Sequence, residues 1–197
     1  MTTTICKVYD SYGQAREAVR AMEASGVSSS DISLVANKYV SREHADVDDV
    51  SDTAKGAGIG AALGGTAGLL AGLGLLAIPG LGPVVAAGWL ASTAVGAAAG
   101  AATGGIVGAL IDAGENREHA HVYSEAVRRG GTLVCARVAE AQVARVRALM
   151  ERYQPIDPDA RAAAYRREGW SGRFDPKAPA YRPNDAEIER IRRDWAA

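Results

Sequence analysis

Three histidines, two cysteines and one glycine-rich turn are the parts of this chain whose residue types and spacing could do chemistry. Arg42-Glu43-His44-Ala45 and Arg117-Glu118-His119-Ala120 repeat the same four letters on the two approaches to a long uncharged stretch. Imidazoles placed there could titrate near neutrality or hold a metal. His119 and His121, however, are two residues apart and do not share a helical face, and no zinc-ligand spacing exists. Solvated approaches with chance repetition account for the histidines, so no metal site is expected. Gly56-x-Gly58-x-x-Ala61 formally matches a dinucleotide fingerprint. That motif needs a strand before it and an acid about 20 residues later. Here an acidic loop precedes it and no acid follows until Asp112, so no cofactor is expected.

The cysteines, Cys6 and Cys135, lack CxxC spacing and make no disulfide framework, which fits a reducing compartment. In strand alternation Cys6 and Val8 oppose Lys7, which turns Cys6 toward the helices. Cys135, in phase with Leu133 and Arg137, falls on the other side of the sheet. The two are not expected to pair, and neither has a visible activating neighbour. Arg128-Arg129 and Arg166-Arg167 read as solvated or interfacial, with an anionic lipid headgroup as the alternative. No catalytic residue is expected, and the chain is not read as an enzyme. With 22 basic and 23 acidic side chains in 197 residues, no charge excess favours nucleic acid. No basic region leads into an apolar core in MTTTICKVYD, so no cleaved signal peptide is expected.

The elements that must position these residues follow from periodicity. Residues 5–9 read as a strand, 12–25 as a helix with Tyr12, Ala15, Val19 and Met22 in phase and Gly26 as its stop, and 31–36 as a second strand. Residues 115–129 read as a helix ended by Gly130-Gly131, 132–138 as a strand and 140–153 as a helix, with a short last strand near Pro155-Ile156. Between these halves, 56 residues from Gly56 to Ile111 contain no Asp, Glu, Lys, Arg or His. Ile78-Pro79-Gly80-Leu81-Gly82-Pro83 divides that run into segments 56–78 and 84–111, each long enough as a helix to cross a hydrocarbon core of about 30 Å. Gly56, Gly60, Gly64, Gly68 and Gly72 recur every four residues, as do Gly88, Ser92, Gly96, Gly100, Gly104 and Gly108. Residues four apart share a helix face, so each segment carries a groove that admits another backbone. The expectation is a glycine-zipper helical hairpin. It is rich in Ala and Gly, which contribute little to insertion, so its spans are marginal alone and suited to pairs or oligomers. Trp89, near the turn, suits a membrane interface.

The order β-α-β, insertion, β-α-(β) is that of a split ferredoxin-like domain of the α+β class, with the hairpin inserted between its halves as two transmembrane helices. Ala15, Ala18-Val19, Met22, Gly26 and Ile32–Val35, then the glycine-zipper hairpin, then Tyr123, Val127, Gly130-Gly131 and Leu133-Val134 resemble the bacterial general stress protein 17M / heat-induced stress protein YflT type. The resemblance covers roughly residues 4–155 and implies a stress-associated, bacterial, membrane-linked protein without implying a reaction.

The expected organisation is 1–54, the first half of the domain plus an acidic linker; 55–113, the hairpin; 114–158, a helix plus the second half; and 159–197, an Arg-, aromatic- and Pro-rich docking tail. Short helices are expected at about 159–168 and 184–195. Tyr165, Trp170, Phe174, Tyr181 and Trp195, spread among arginines, read as anchors for another surface, first a neighbouring subunit. The expected function is a non-enzymatic membrane protein that homo-oligomerises through its glycine zipper and supports or remodels the bilayer, with itself and lipid as partners and no nucleic acid. It would lie in the bacterial inner membrane with the soluble domain and both termini cytoplasmic. The alternative is a soluble, cytoplasmic homo-oligomeric assembly, or a ligand-binding regulatory module, with the hairpins buried between subunits.

Overall fold

The computed structural model describes residues 2–37, 74–78, 82–90, 105–175 and 177. The chain is a mixed α/β protein whose described strands, β1 (Thr2–Tyr9), β2 (Ile32–Asn37), β3 (Gly74–Ile78), β4 (Gly82–Ala87) and β5 (Thr132–Ala139), form one sheet of order β1-β5-β2-β4-β3, with every neighbouring pair antiparallel. Strand β1 (Thr2–Tyr9) leads through Ser11, the N-cap, into α1 (Tyr12–Ala24). That helix closes at Gly26, whose φ of +94° lets Val27 N–H reach back to Met22 O at 3.1 Å. Strand β2 (Ile32–Asn37) is buried along its whole length, as a central strand should be.

The insert ends in α2 (Gly105–Asp112), and the second half begins with α3 (Arg117–Arg128), capped by Asn116, whose Oδ1 accepts from Glu118 N–H at 2.8 Å. Gly130, at φ +106°, ends α3, and β5 (Thr132–Ala139) follows at once. Then come α4 (Val143–Glu151) and α5 (Pro158–Arg167), which has Pro158 at its start and Asp157 as its cap. Strand β5 lies between β1 and β2, so the two strands of the first half are separated by the strand of the second. In place of a last strand near Pro155-Ile156 there is one hydrogen bond, from Ile156 N–H to Val8 O at 2.8 Å.

Two apolar layers sandwich the sheet. On face one, Ile5, Tyr9, Ile32, Leu34, Ala36, Val134, Ala136 and Val138 meet Ala15, Ala18, Val19 and Met22 of α1 and Val146 and Met150 of α4. On face two, Cys6, Val8, Val35, Leu133 and Cys135 meet Leu90, α2, α3, Ile156, Tyr165 and Phe174. The two-residue period of the strands assigns their side chains to these faces.

Two sequence expectations are corrected here. Segments 56–78 and 84–111 are not two continuous helices. Gly74–Ile78 is β3 and Gly82–Ala87 is β4; the two pair with each other, and β4 pairs with the edge of β2. Leu75-Leu76-Ala77-Ile78 and Val84-Val85 are aliphatic and β-branched stretches beside a turn that reverses strands as readily as helices. Pairing them also satisfies the backbone edge of β2, which a helix could not do. Among the described residues no helix is long and apolar enough to cross a membrane.

The cysteines are the second correction. Cys6 and Cys135 are cross-strand partners in the β1–β5 register, 4.2 Å apart at Cα, and form a disulfide. Directly opposed residues on antiparallel strands share a face. Reading each strand separately against helices on one side of the sheet put the two on opposite sides; helices cover both.

Candidate functional site

Face two is where the insert and the C-terminal segment are fastened, and its chemistry is built from those attachments. The insert returns to the domain at Gly88. This glycine is not inside a packing helix but at the end of β4, with φ +89°. A Cβ there would lie 2.3 Å from Ile32 O and 2.5 Å from Ser33 Oγ, so only glycine permits this approach to β2. Ser33 Oγ, fully buried on face two, accepts from Leu90 N–H at 3.0 Å. Beside it, Arg137 of β5 stacks over the Trp89 ring at 4.8 Å and bonds Asp31 Oδ1 at 3.2 Å. Trp89 is therefore half-buried against this domain. Ile106, Val107, Ala109 and Leu110 of α2 complete the attachment as buried side chains, and Gly108 on the same helix is half-buried. Gly56, Gly60, Gly64, Gly68, Gly72, Ser92, Gly96, Gly100 and Gly104 lie outside the described residues.

The C-terminal segment is fastened by ion pairs around one buried carboxylate. Glu125 of α3 is 2 % exposed. It accepts from Arg128 Nε at 2.8 Å and from Arg129 Nε at 2.7 Å. Arg129 also donates to Glu168 just after α5 and lies 4.2 Å above the Tyr165 ring. Arg161 of α5 grips Asp10 through both carboxylate oxygens, and this partner, opposed by desolvation, holds its guanidinium pKa above the ordinary value. The aromatic residues follow. Tyr165 and Phe174 are buried in face two of their own domain, with Trp170 half-buried and edge-on to Tyr165. The surface they dock on here belongs to this chain. Tyr181, Trp195 and the helix expected at 184–195 lie outside the described residues.

His121 of α3 closes the arrangement by accepting the Phe174 N–H at Nδ1, 3.2 Å away. Burial, then Arg173 and Arg117, hold its pKa below the ordinary 6.5, which keeps the imidazole neutral and able to accept. His119, one turn earlier than Tyr123, lies 3.5 Å from both Glu115 and Asp159. His44 lies outside the described residues. Among the described residues no three His, Cys, Asp or Glu side chains converge as a metal site. Burial raises the Tyr9 and Tyr123 hydroxyls well above their ordinary pKa, which leaves them protonated packing groups.

Sequence reasoning grouped Tyr165, Trp170 and Phe174 as anchors for another surface, weighed His121 only as a metal ligand, held that the cysteines do not pair, and passed over Glu125. The cysteines had a usable signal, since both fall inside strands that had been identified. Glu125 had none, because an acid among arginines on a helix usually marks a solvated face. No family model, no curated protein and no solved structure matches the chain.

Proposed function

We propose that the chain is a non-enzymatic self-assembly protein in which a split ferredoxin-like domain carries a glycine-rich insert that packs against copies of itself. The observation behind this reading is that the insert is woven into the sheet. Strands β3 and β4 extend the domain beyond β2, and α2 packs beneath face two. The charge-free sequence left outside these elements is 56–73 and 91–104, or 18 and 14 residues. The second falls short of the roughly 17–25 residues that one helical span requires, and the first sits at the lower end of that range. Small residues every four positions continue through both segments, which suits close packing against another protein backbone.

A membrane-supporting role is the second reading, favoured by the absence of any charge from Gly56 to Ile111. A stress-associated role rests on the resemblance alone. The test is light-scattering mass measurement of the full chain without detergent, alongside carbonate extraction of the native membrane fraction. A defined oligomer that becomes monomer in Gly64→Leu and Gly100→Leu supports the first reading. An assembly of unchanged mass in both variants, or a wild-type monomer, overturns it. Protein that survives carbonate in the pellet and needs detergent to leave it moves the conclusion to the second.

A further inference from the structure

The Cys6–Cys135 bond joins residues 129 apart in sequence, and the loop it closes contains β2, the whole insert and α3. It connects the first half of the domain to the second at the strand that lies between β1 and β2. The strand ladder runs through eight residue pairs, from Thr2↔Ala139 to Tyr9↔Thr132, and holds β1 beside β5 on its own account. Both cysteines are sealed, at 4 % and 0 % exposure, in the layer that contains Leu110, Tyr123 and Val127.

We propose that Cys6 and Cys135 form a redox clasp between the two halves of the domain, reached by reagents only when the α2–α3 layer lifts from face two. The inference is independent of the self-assembly reading. Closing takes a small peroxide. The Cys6 thiolate attacks one peroxide oxygen, the O–O bond breaks, and hydroxide leaves to become water as Cys6 becomes a sulfenic acid. The Cys135 sulfur then attacks the Cys6 sulfur, the S–O bond breaks, and a second water carries off the thiol proton. Two thiols lose two electrons and two protons, and hydrogen peroxide becomes two waters. Opening takes a dithiol. Its thiolate attacks Cys6 Sγ, on the edge strand β1, and Cys135 leaves as a thiolate that takes a proton. The second thiol of the reductant then displaces Cys6 and departs as a cyclic disulfide. The strand register survives this step, while the covalent tie across the insert is lost.

The experiment counts thiols by alkylation and intact mass on the full chain. Peroxide treatment of reduced protein should take two thiols to none in a single-chain species; persistent thiols or disulfide-linked dimers overturn the proposal. Native protein should then be reduced by dithiothreitol roughly 100-fold or more slowly than urea-unfolded protein, because the sulfurs wait for opening. Leu110→Ala, in the covering layer, should accelerate reduction well beyond Met22→Ala on the opposite face. Native reduction at the unfolded rate, or equal acceleration by the two variants, overturns the layer as the gate. Cys6→Ala/Cys135→Ala should match the urea midpoint of reduced wild type and fall below that of oxidised wild type. Equal midpoints for oxidised and reduced wild type remove the clasp.

Discussion

Face one of the sheet is covered by α1 and α4, which belong to the two halves of the split unit. Face two is covered by α2, α3 and α5, of which α2 comes from the insert and α5 from the C-terminal segment. The polar contacts divide the same way. Face one has one inside, where Tyr9 OH donates to Met150 O at 3.1 Å, and one at its margin, where Lys7 meets Glu151 at 2.6 Å. Face two buries a carboxylate and a disulfide and half-buries a histidine acceptor. One face closes the unit on itself, and the other holds what has been added to it. The sharpest way to break that distinction is to empty equivalent space on each side. Met22 and Leu110 are both fully buried, and truncating either to Ala should cost about 3–4 kcal/mol. Trp89 and Trp170 both lie against face two. In a Trp195→Phe background, Leu110→Ala should therefore move the tryptophan transition in urea ahead of the far-UV circular dichroism transition. Met22→Ala should lower both together, because it touches the layer that ties both halves. Coincident transitions in Leu110→Ala would make the faces one cooperative unit.

A second contrast separates two left-handed glycines. Gly26 follows α1 and has nothing within 4 Å of a notional Cβ, whereas Gly88 has Ile32 O and Ser33 Oγ inside 2.6 Å of one. Gly26→Ala should cost about 1 kcal/mol, the penalty of the left-handed conformation. Gly88→Ala adds a backbone clash and should cost about 3 kcal/mol, reported by chemical denaturation. Equal costs would mean that β4 yields at that point, and that the insert is less firmly tied to β2 than its register suggests.

These contrasts also mark what the sequence made legible. Face one follows from periodicity, since Ala15, Val19 and Met22 recur at helical spacing and the strands alternate, and Gly26 and Gly130 stop their helices where expected. Face two depends on contacts between distant segments, which periodicity does not carry. Val84-Val85 reads equally as helix or strand until the open edge of β2 is present to pair it. The four-residue glycine spacing pointed to helices through position 88, but Gly88 is required by its distance to Ile32, not by a groove. Phe174 and Tyr165 were recognisable as docking aromatics because apolar residues are sparse around them. Their partner could not be read, since the surface they cover exists only after α3 has packed on the sheet.

Glu125 tests whether the C-terminal segment is held mainly by charge or by its aromatics. Gln at this position keeps the shape but weakens the charge-assisted bonds from Arg128 and Arg129, at a cost of about 2 kcal/mol. Arg129 also binds Glu168, so the loss should first loosen α5 from α3. Hydrogen exchange should then rise across Pro158–Arg167 more than across α1. A uniform rise through both helices would show that Glu125 stabilises the domain as a whole.

The smallest effect is the pH dependence of the same attachment. Burial, with Arg173 and Arg117 nearby, holds the folded-state pKa of His121 below 6.5, while the unfolded chain titrates near that ordinary value. Between the two values the unfolded state binds more protons, so stability rises with pH. The contribution is therefore complete above about pH 6.5 and is lost as pH falls through the folded pKa. Protonation also places a hydrogen on Nδ1, where the Phe174 N–H now donates, and the bond cannot persist. Stepwise acidification below pH 6.5 should thus loosen residues 168–175 before the sheet, seen as a change in Trp170 fluorescence at constant far-UV circular dichroism. His121→Asn offers an amide oxygen that does not titrate and should flatten that response while leaving the pH 7 spectrum near wild type. A variant that keeps the full acid response would show that the Nδ1 contact to Phe174 is not what acid breaks.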